Sequence, residues 1–97
     1  NLYVTTDKTS YTKSENVTIS GLLRDDYGAP ISGVNVTIQI EASNGTVIWI
    51  VNATTGSNGE FTYELDLELI NATPDTYTVV VTYQTFEERY HKFEVKE

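Results

Sequence analysis

The 97-residue sequence predicts an all-β fold, an antiparallel sandwich of about seven strands. Three observations carry that expectation. Apolar residues recur at every second position, Asn-Gly and Pro-containing turns interrupt them at short intervals, and no window sustains the i, i+3, i+4, i+7 spacing of an amphipathic helix.

The elements follow in order. Leu2–Thr5 supplies a short first strand. Val17, Ile19 and Gly21 alternate with polar partners, and the run Val34, Val36, Ile38, Ile40 alternates with Asn35, Thr37 and Gln39, so each segment has one face in a core and one in water. Asn44-Gly45, a pair that accepts positive φ, turns the chain into the apolar run Val47–Val51. That run departs from alternation, which suits either a strand covered on both sides or an edge strand with Ile48 and Ile50 in a contact surface. Asn58-Gly59 leads to Phe61, Tyr63 and Leu65. A loop over 71–76 containing Pro74 precedes Tyr77, Val79, Val81 and Tyr83, and Glu87-Glu88-Arg89 reads as a polar hairpin turn before Phe93 and Val95. The core is expected to hold Val17, Ile19, Val36, Ile38, Trp49, Phe61, Tyr77, Val79, Val81 and Phe93.

This length fits a single domain, residues 1–97, with one hydrophobic core. The formal net charge of −8 opposes contact with nucleic acid and with anionic lipid. No apolar run reaches the roughly 18–20 residues of a membrane-spanning helix, so membrane insertion by this segment is not expected. Cysteine and methionine are absent, which removes disulfides, thiolate metal sites and Cys nucleophiles. Without an initiating Met or a signal-peptide pattern, the chain is expected to be a processed or, preferably, excised piece of a larger protein.

Four phrases carry a family resemblance: Tyr11 to Gly21 (YTKSENVTISG), Asp26 to Val36 (DYGAPISGVNV), Thr55 to Phe61 (TGSNGEF) and Pro74 to Val79 (PDTYTV). In this order they resemble bacterial and archaeal immunoglobulin-like, macroglobulin-type domains of surface proteins. Similar phrases occur in carboxypeptidase regulatory-like sandwiches, which leaves strand order open. Ser14 and Asp75 stand where the pattern usually has glycine, and Asp75 is tolerable there because Asp visits the left-handed region more readily than most residues. The resemblance implies an immunoglobulin-like fold. Tyr77, two residues before Val79, matches the tyrosine corner of such sandwiches, with Val79 in the place of the second core cysteine.

Five of seven asparagines open an Asn-x-Thr triplet, at Asn16, Asn35, Asn44, Asn52 and Asn71, where chance placement predicts about 1.5. These are candidate glycosylation sites and point outside the cytoplasm, to the cell surface or a secreted chain. Asn16 and Asn35 flank inward valines and should face solvent. Asp25, Asp26, Asp66, Glu68 and Asp75 lack the dense spacing of a calcium loop and read as solvated carboxylates. His91, the only histidine, lies on the last strand away from any nucleophile elbow, so no catalytic residue, metal or cofactor is expected. The function expected is a non-catalytic structural, spacer or adhesion-type module of an extracytoplasmic prokaryotic protein. Its partners would be neighbouring domains of the same chain, and protein or polysaccharide at the cell surface. The alternative is a carbohydrate-binding or accessory module attached to a secreted enzyme. For that reading Tyr3, Tyr11, Tyr27 and Tyr90 are the aromatics whose side is open, and a sugar platform requires exposed aromatics in one plane.

Overall fold

The computed structural model describes residues 1–84 and 87–97. Among the described residues eight strands follow one another: β1 (Leu2–Thr6), β2 (Ser10–Thr12), β3 (Asn16–Leu23), β4 (Asn35–Glu41), β5 (Val47–Thr54), β6 (Glu60–Asp66), β7 (Asp75–Tyr83) and β8 (Glu87–Lys96). They form two sheets, a three-stranded one ordered β1-β3-β6 and a five-stranded one ordered β2-β8-β7-β4-β5.

Alternation does what the sequence predicts. In β3 Val17, Ile19 and Leu23 are buried while the residues between them meet solvent to some degree, and β4 repeats the pattern with Val36, Ile38 and Ile40. The facing sides of the two sheets supply one continuous core, completed by Leu2, Phe61, Leu65, Tyr77, Val79, Val81, Phe93 and Val95. Its aromatic centre is Phe93, stacked on Tyr77 and meeting Tyr11 edge-on, with ring centroids 5.6 Å apart in both pairs.

Two backbone features explain how the sheets close. Gly45 has φ 88° in the β4–β5 hairpin, the conformation the Asn-Gly pair was expected to supply. Gly21 lies opposite Phe61 across β3 and β6 and opposite Val4 across β1 and β3. A Cβ at Gly21 would collide with the Phe61 ring and the Tyr3 carbonyl oxygen, so the ring occupies the room a side chain would need.

The sandwich of about seven strands is found, with β2 as an eighth: the chain crosses between sheets after Thr6, and β2 pairs in parallel with β8. Three readings of the sequence are corrected. Trp49 is half-buried and not in the sealed core. It sits on β5, the edge of its sheet, where its indole N–H donates to the Tyr63 hydroxyl of β6 at 2.9 Å. Glu87-Glu88-Arg89 are strand and not turn, since β8 begins at Glu87 and pairs with Tyr83, Thr82 and Val81. Asp75 and Ser14 avoid the left-handed region. Positive φ falls on Asn71 (54°) and Gln84 (56°), and Asp75 opens β7 with its carboxylate accepting the backbone N–H groups of Ser43 and Thr76. The departures from the glycine pattern therefore cause no backbone strain.

The tyrosine corner forms. The Tyr77 hydroxyl donates to the Thr73 carbonyl at 2.7 Å and accepts the Thr73 N–H at 3.0 Å, which ties the 71–74 loop to the start of β7.

Candidate functional site

The five sequon asparagines are all exposed. Asn16 opens β3, Asn35 opens β4, Asn52 lies on β5, Asn44 sits in the β4–β5 hairpin, and Asn71 sits in the turn after β6. Within the hairpin the Asn44 Oδ1 accepts the Thr46 N–H at 3.0 Å, an Asx turn that stiffens the connection.

Antiparallel register brings two of the sequons face to face. Asn35 lies opposite Thr54 and Thr37 opposite Asn52, so the triplets 35–37 and 52–54 run past each other across β4 and β5. Each threonine hydroxyl donates to the facing amide oxygen, Thr54 to Asn35 Oδ1 at 2.8 Å and Thr37 to Asn52 Oδ1 at 3.1 Å. In the sequence the two triplets lie 15 residues apart and carry no mark of each other. Reflecting the chain about Asn44-Gly45 would have placed them together, because a tight hairpin there sets the register.

The apolar run 47–51 takes the edge position. Register slips at Ile40/Glu41, where Trp49 pairs with Ile40 but Val47 pairs with Glu41, so Ile48 is the extra residue of a bulge. Trp49 and Val51 then face the core, while Ile50 stays 56% exposed and Val47 46% exposed on the outside. The bulge explains why this run broke alternation. Ile50 is joined on the outer face by Gln39, Val80 and Tyr90, its cross-strand row through β4, β7 and β8.

The tyrosines divide. Tyr11 is buried, Tyr27 is exposed in the loop before β4, Tyr3 (57% exposed) lies on the three-stranded sheet and Tyr90 (62% exposed) on the outer face of the five-stranded one. A groove of about 340 Å³ crosses the three-stranded sheet along Val4, Gly21 and Phe61, walled by Tyr3, Leu22 and Thr62. Its one carboxylate, Glu60, turns away and accepts the Asn58 N–H at 3.1 Å. Few polar groups converge there to orient a ligand.

The carboxylates weighed as calcium ligands are scattered in local turns. Asp25 Oδ1 accepts the N–H groups of Tyr27 and Ala29, both at 2.9 Å, and Asp66 Oδ1 accepts those of Glu68 and Leu69. Asp75 is held below the usual carboxylate range by its hydrogen bonds from Ser43 and Thr76. Among the described residues no three His, Asp or Glu side chains gather as metal ligands. His91 is half-buried on β8, with Nε2 2.9 Å from Thr6 Oγ1. That hydroxyl already donates to the Lys8 carbonyl at 2.7 Å, so the ring nitrogen is the donor. Asp7 and Tyr11 share a 2.6 Å hydrogen bond; it lowers the Asp7 carboxyl, while burial and then the same bond raise the Tyr11 phenol. No helix of the described residues is long and apolar enough to cross a membrane.

No curated protein matches the chain. Among solved structures, the native conformation of the alpha-2-macroglobulin of E. coli superposes with a TM-score of 0.85 at 21% identity, covering 99% of this chain and 6% of that one. The Salmonella alpha-2-macroglobulin reacted with methylamine gives 0.81 at 23% identity, again over 99% of this chain and 6% of its own. A Listeria innocua beta-glucosidase shares the sandwich more distantly, with a TM-score of 0.61 at 12% identity over 16% of its length. In each case the shared fold is one module of a longer chain. The family profile described as MG2 domain matches residues 1–96, nearly the whole sequence. This chain therefore belongs to the MG2 domain family, the macroglobulin-type immunoglobulin-like sandwiches.

Proposed function

We propose that this MG2 domain is a non-catalytic spacer or structural module of an extracytoplasmic prokaryotic chain and carries N-linked glycans. One observation carries the reading: every one of the five sequon asparagines, including Asn16 and Asn35 at the first positions of their strands, is exposed to solvent. A glycan at a buried asparagine would have been incompatible with the core. The scattering of carboxylates into turn-capping roles and the engagement of His91 with Thr6 support the non-catalytic part. Placement in a larger assembly is supported by the family and by relatives in which this module fills 6% of the chain. The carbohydrate-binding alternative is weakened because Tyr3 and Tyr90 lie on different sheets and offer no single plane for a sugar.

Site-by-site mass spectrometry of the protein from its native source tests the reading. Glycan mass on at least one of the five asparagines is expected, and five bare asparagines refute it.

A further inference from the structure

Among the described residues the two sheets have four edges, and three are managed. β2 is only three residues long, β6 carries Glu60, Glu64 and Asp66, and β1 runs beside β8, with Thr6 bonded to His91. β5 is tied to the facing sheet at Trp49, whose indole bonds Tyr63 of β6, but its eight residues, VIWIVNAT, carry no charge and no proline. Its bulge disrupts only the Val47 end. The surrounding sequence deepens the contrast, for between Tyr27 and Gly59 Glu41 is the one charged residue of the chain's 20. An acidic protein has thus left one long edge uncharged, with Val47 and Ile50 exposed. Such an edge is a template for strand addition by another chain.

Three of the five sequons lie on this same β4–β5 hairpin. Asn52 shares the outer face of β5 with Ile50, two residues away and so roughly 7 Å distant. Asn44 sits in the turn that leads into Val47. The hydroxyl ladder is compatible with modification. Thr37 and Thr54 both engage the amide oxygens, and Nδ2 of Asn35 and Asn52 donates to no described residue, so a sugar attached at Nδ2 leaves both hydrogen bonds in place.

We propose that the β5 edge is covered by carbohydrate attached to its own hairpin, at Asn44 and Asn52, which takes the place of the charges other edges carry. The inference rests on the glycoprotein reading and says where that modification acts. In the transfer itself, Nδ2 attacks the anomeric carbon of an activated glycosyl phosphate donor brought by a separate transferase. The C–N bond forms as the C–O bond to phosphate breaks, the phosphate departs with the bonding pair, and the Nδ2 proton passes to a base of that enzyme.

The test joins site mapping to self-association. In native protein, Asn44 and Asn52 are expected to carry glycan. The unglycosylated 97-residue chain is expected to self-associate in sedimentation velocity, and Ile50→Lys, an exposed substitution, to weaken that association at least tenfold. Val47→Lys repeats the test from a second position. Glycan confined to Asn16, Asn35 or Asn71 overturns this inference and leaves the glycoprotein reading standing. Five bare asparagines overturn both. An unglycosylated chain that stays monomeric throughout, or a bare β5 cross-linked to a neighbouring domain, shows that carbohydrate is not what the edge requires.

Discussion

Replacing Gly21 with alanine sets two effects of opposite sign against each other. Glycine inside a strand is entropically costly, so from propensity alone Gly21→Ala should stabilise by roughly 0.5–1 kcal/mol. The structure argues the reverse. The new methyl would overlap the Phe61 ring across β6, and also the Tyr3 carbonyl oxygen of β1, which is backbone and cannot rotate aside. Forcing an extra carbon into a packed site costs about 1–3 kcal/mol. Phe61 is 2% exposed and the Tyr3 carbonyl is backbone, so relief requires displacing packed neighbours and the upper half of that range applies. Subtracting the entropic gain leaves a net loss of about 1–2.5 kcal/mol, which lowers the melting temperature of a domain this size by roughly 4–12 °C. Thermal unfolding followed by circular dichroism measures it. Gly21→Ala combined with Phe61→Leu should recover part of the loss, a coupling of at least about 0.5 kcal/mol in the double-mutant cycle. An alanine variant that melts at or above the parent temperature would refute the steric argument.

Further outcomes follow from the core and its rim. Tyr77→Phe keeps the ring stacked on Phe93 but removes both hydrogen bonds to Thr73, and should cost about 1–3 kcal/mol in denaturant titrations with an unchanged m-value. Phe93→Ala empties the centre of the aromatic group and should cost about 3–5 kcal/mol, with a loss below 1 showing that the stack is not the keystone of packing. The Asp7–Tyr11 pair predicts a pH signature. The folded Asp7 carboxyl lies below its ordinary 3.8, so its contribution is present above that value and is lost as pH falls through the folded one. The folded Tyr11 phenol lies above its ordinary 10.0, so its contribution is present below that value and fades as pH rises through the folded one. Tyr11→Phe should therefore flatten both limbs of a melting-temperature profile, and Asp7→Asn chiefly the acid limb; profiles parallel to the parent would exclude the pair as their source.

Much of the fold was legible because a half-buried strand writes its orientation into every second residue. Nine of the ten expected core residues are buried for that reason. Trp49 was misjudged because size and apolarity do not reveal whether a strand is central or at an edge, which depends on pairing across the whole sheet. The β2 strand escaped notice because three residues around Tyr11 carry too short a pattern to distinguish from a loop. The exposure of Asn16 and Asn35 followed from alternation, but the facing of the 35–37 and 52–54 triplets needed register, and the Ile48 bulge within the same hairpin shows how one extra residue alters it. The Gly21–Phe61 fit was invisible for a related reason: a lone glycine in a strand announces a close approach without naming what approaches.

The parallel pairing of β2 with β8 also has a mechanical meaning. Asn1 lies beside Glu87 at the start of β8, while Thr12 pairs with Lys96 at its far end. Tension applied between Asn1 and Glu97 therefore pulls along the strands and slides β2 past β8, and every rung between them bears load at once. A hairpin pulled at its open end instead surrenders its rungs one by one. A fold whose second and last strands are joined in shear resists stretching better than its folding free energy alone would suggest, because the force must break that seam together.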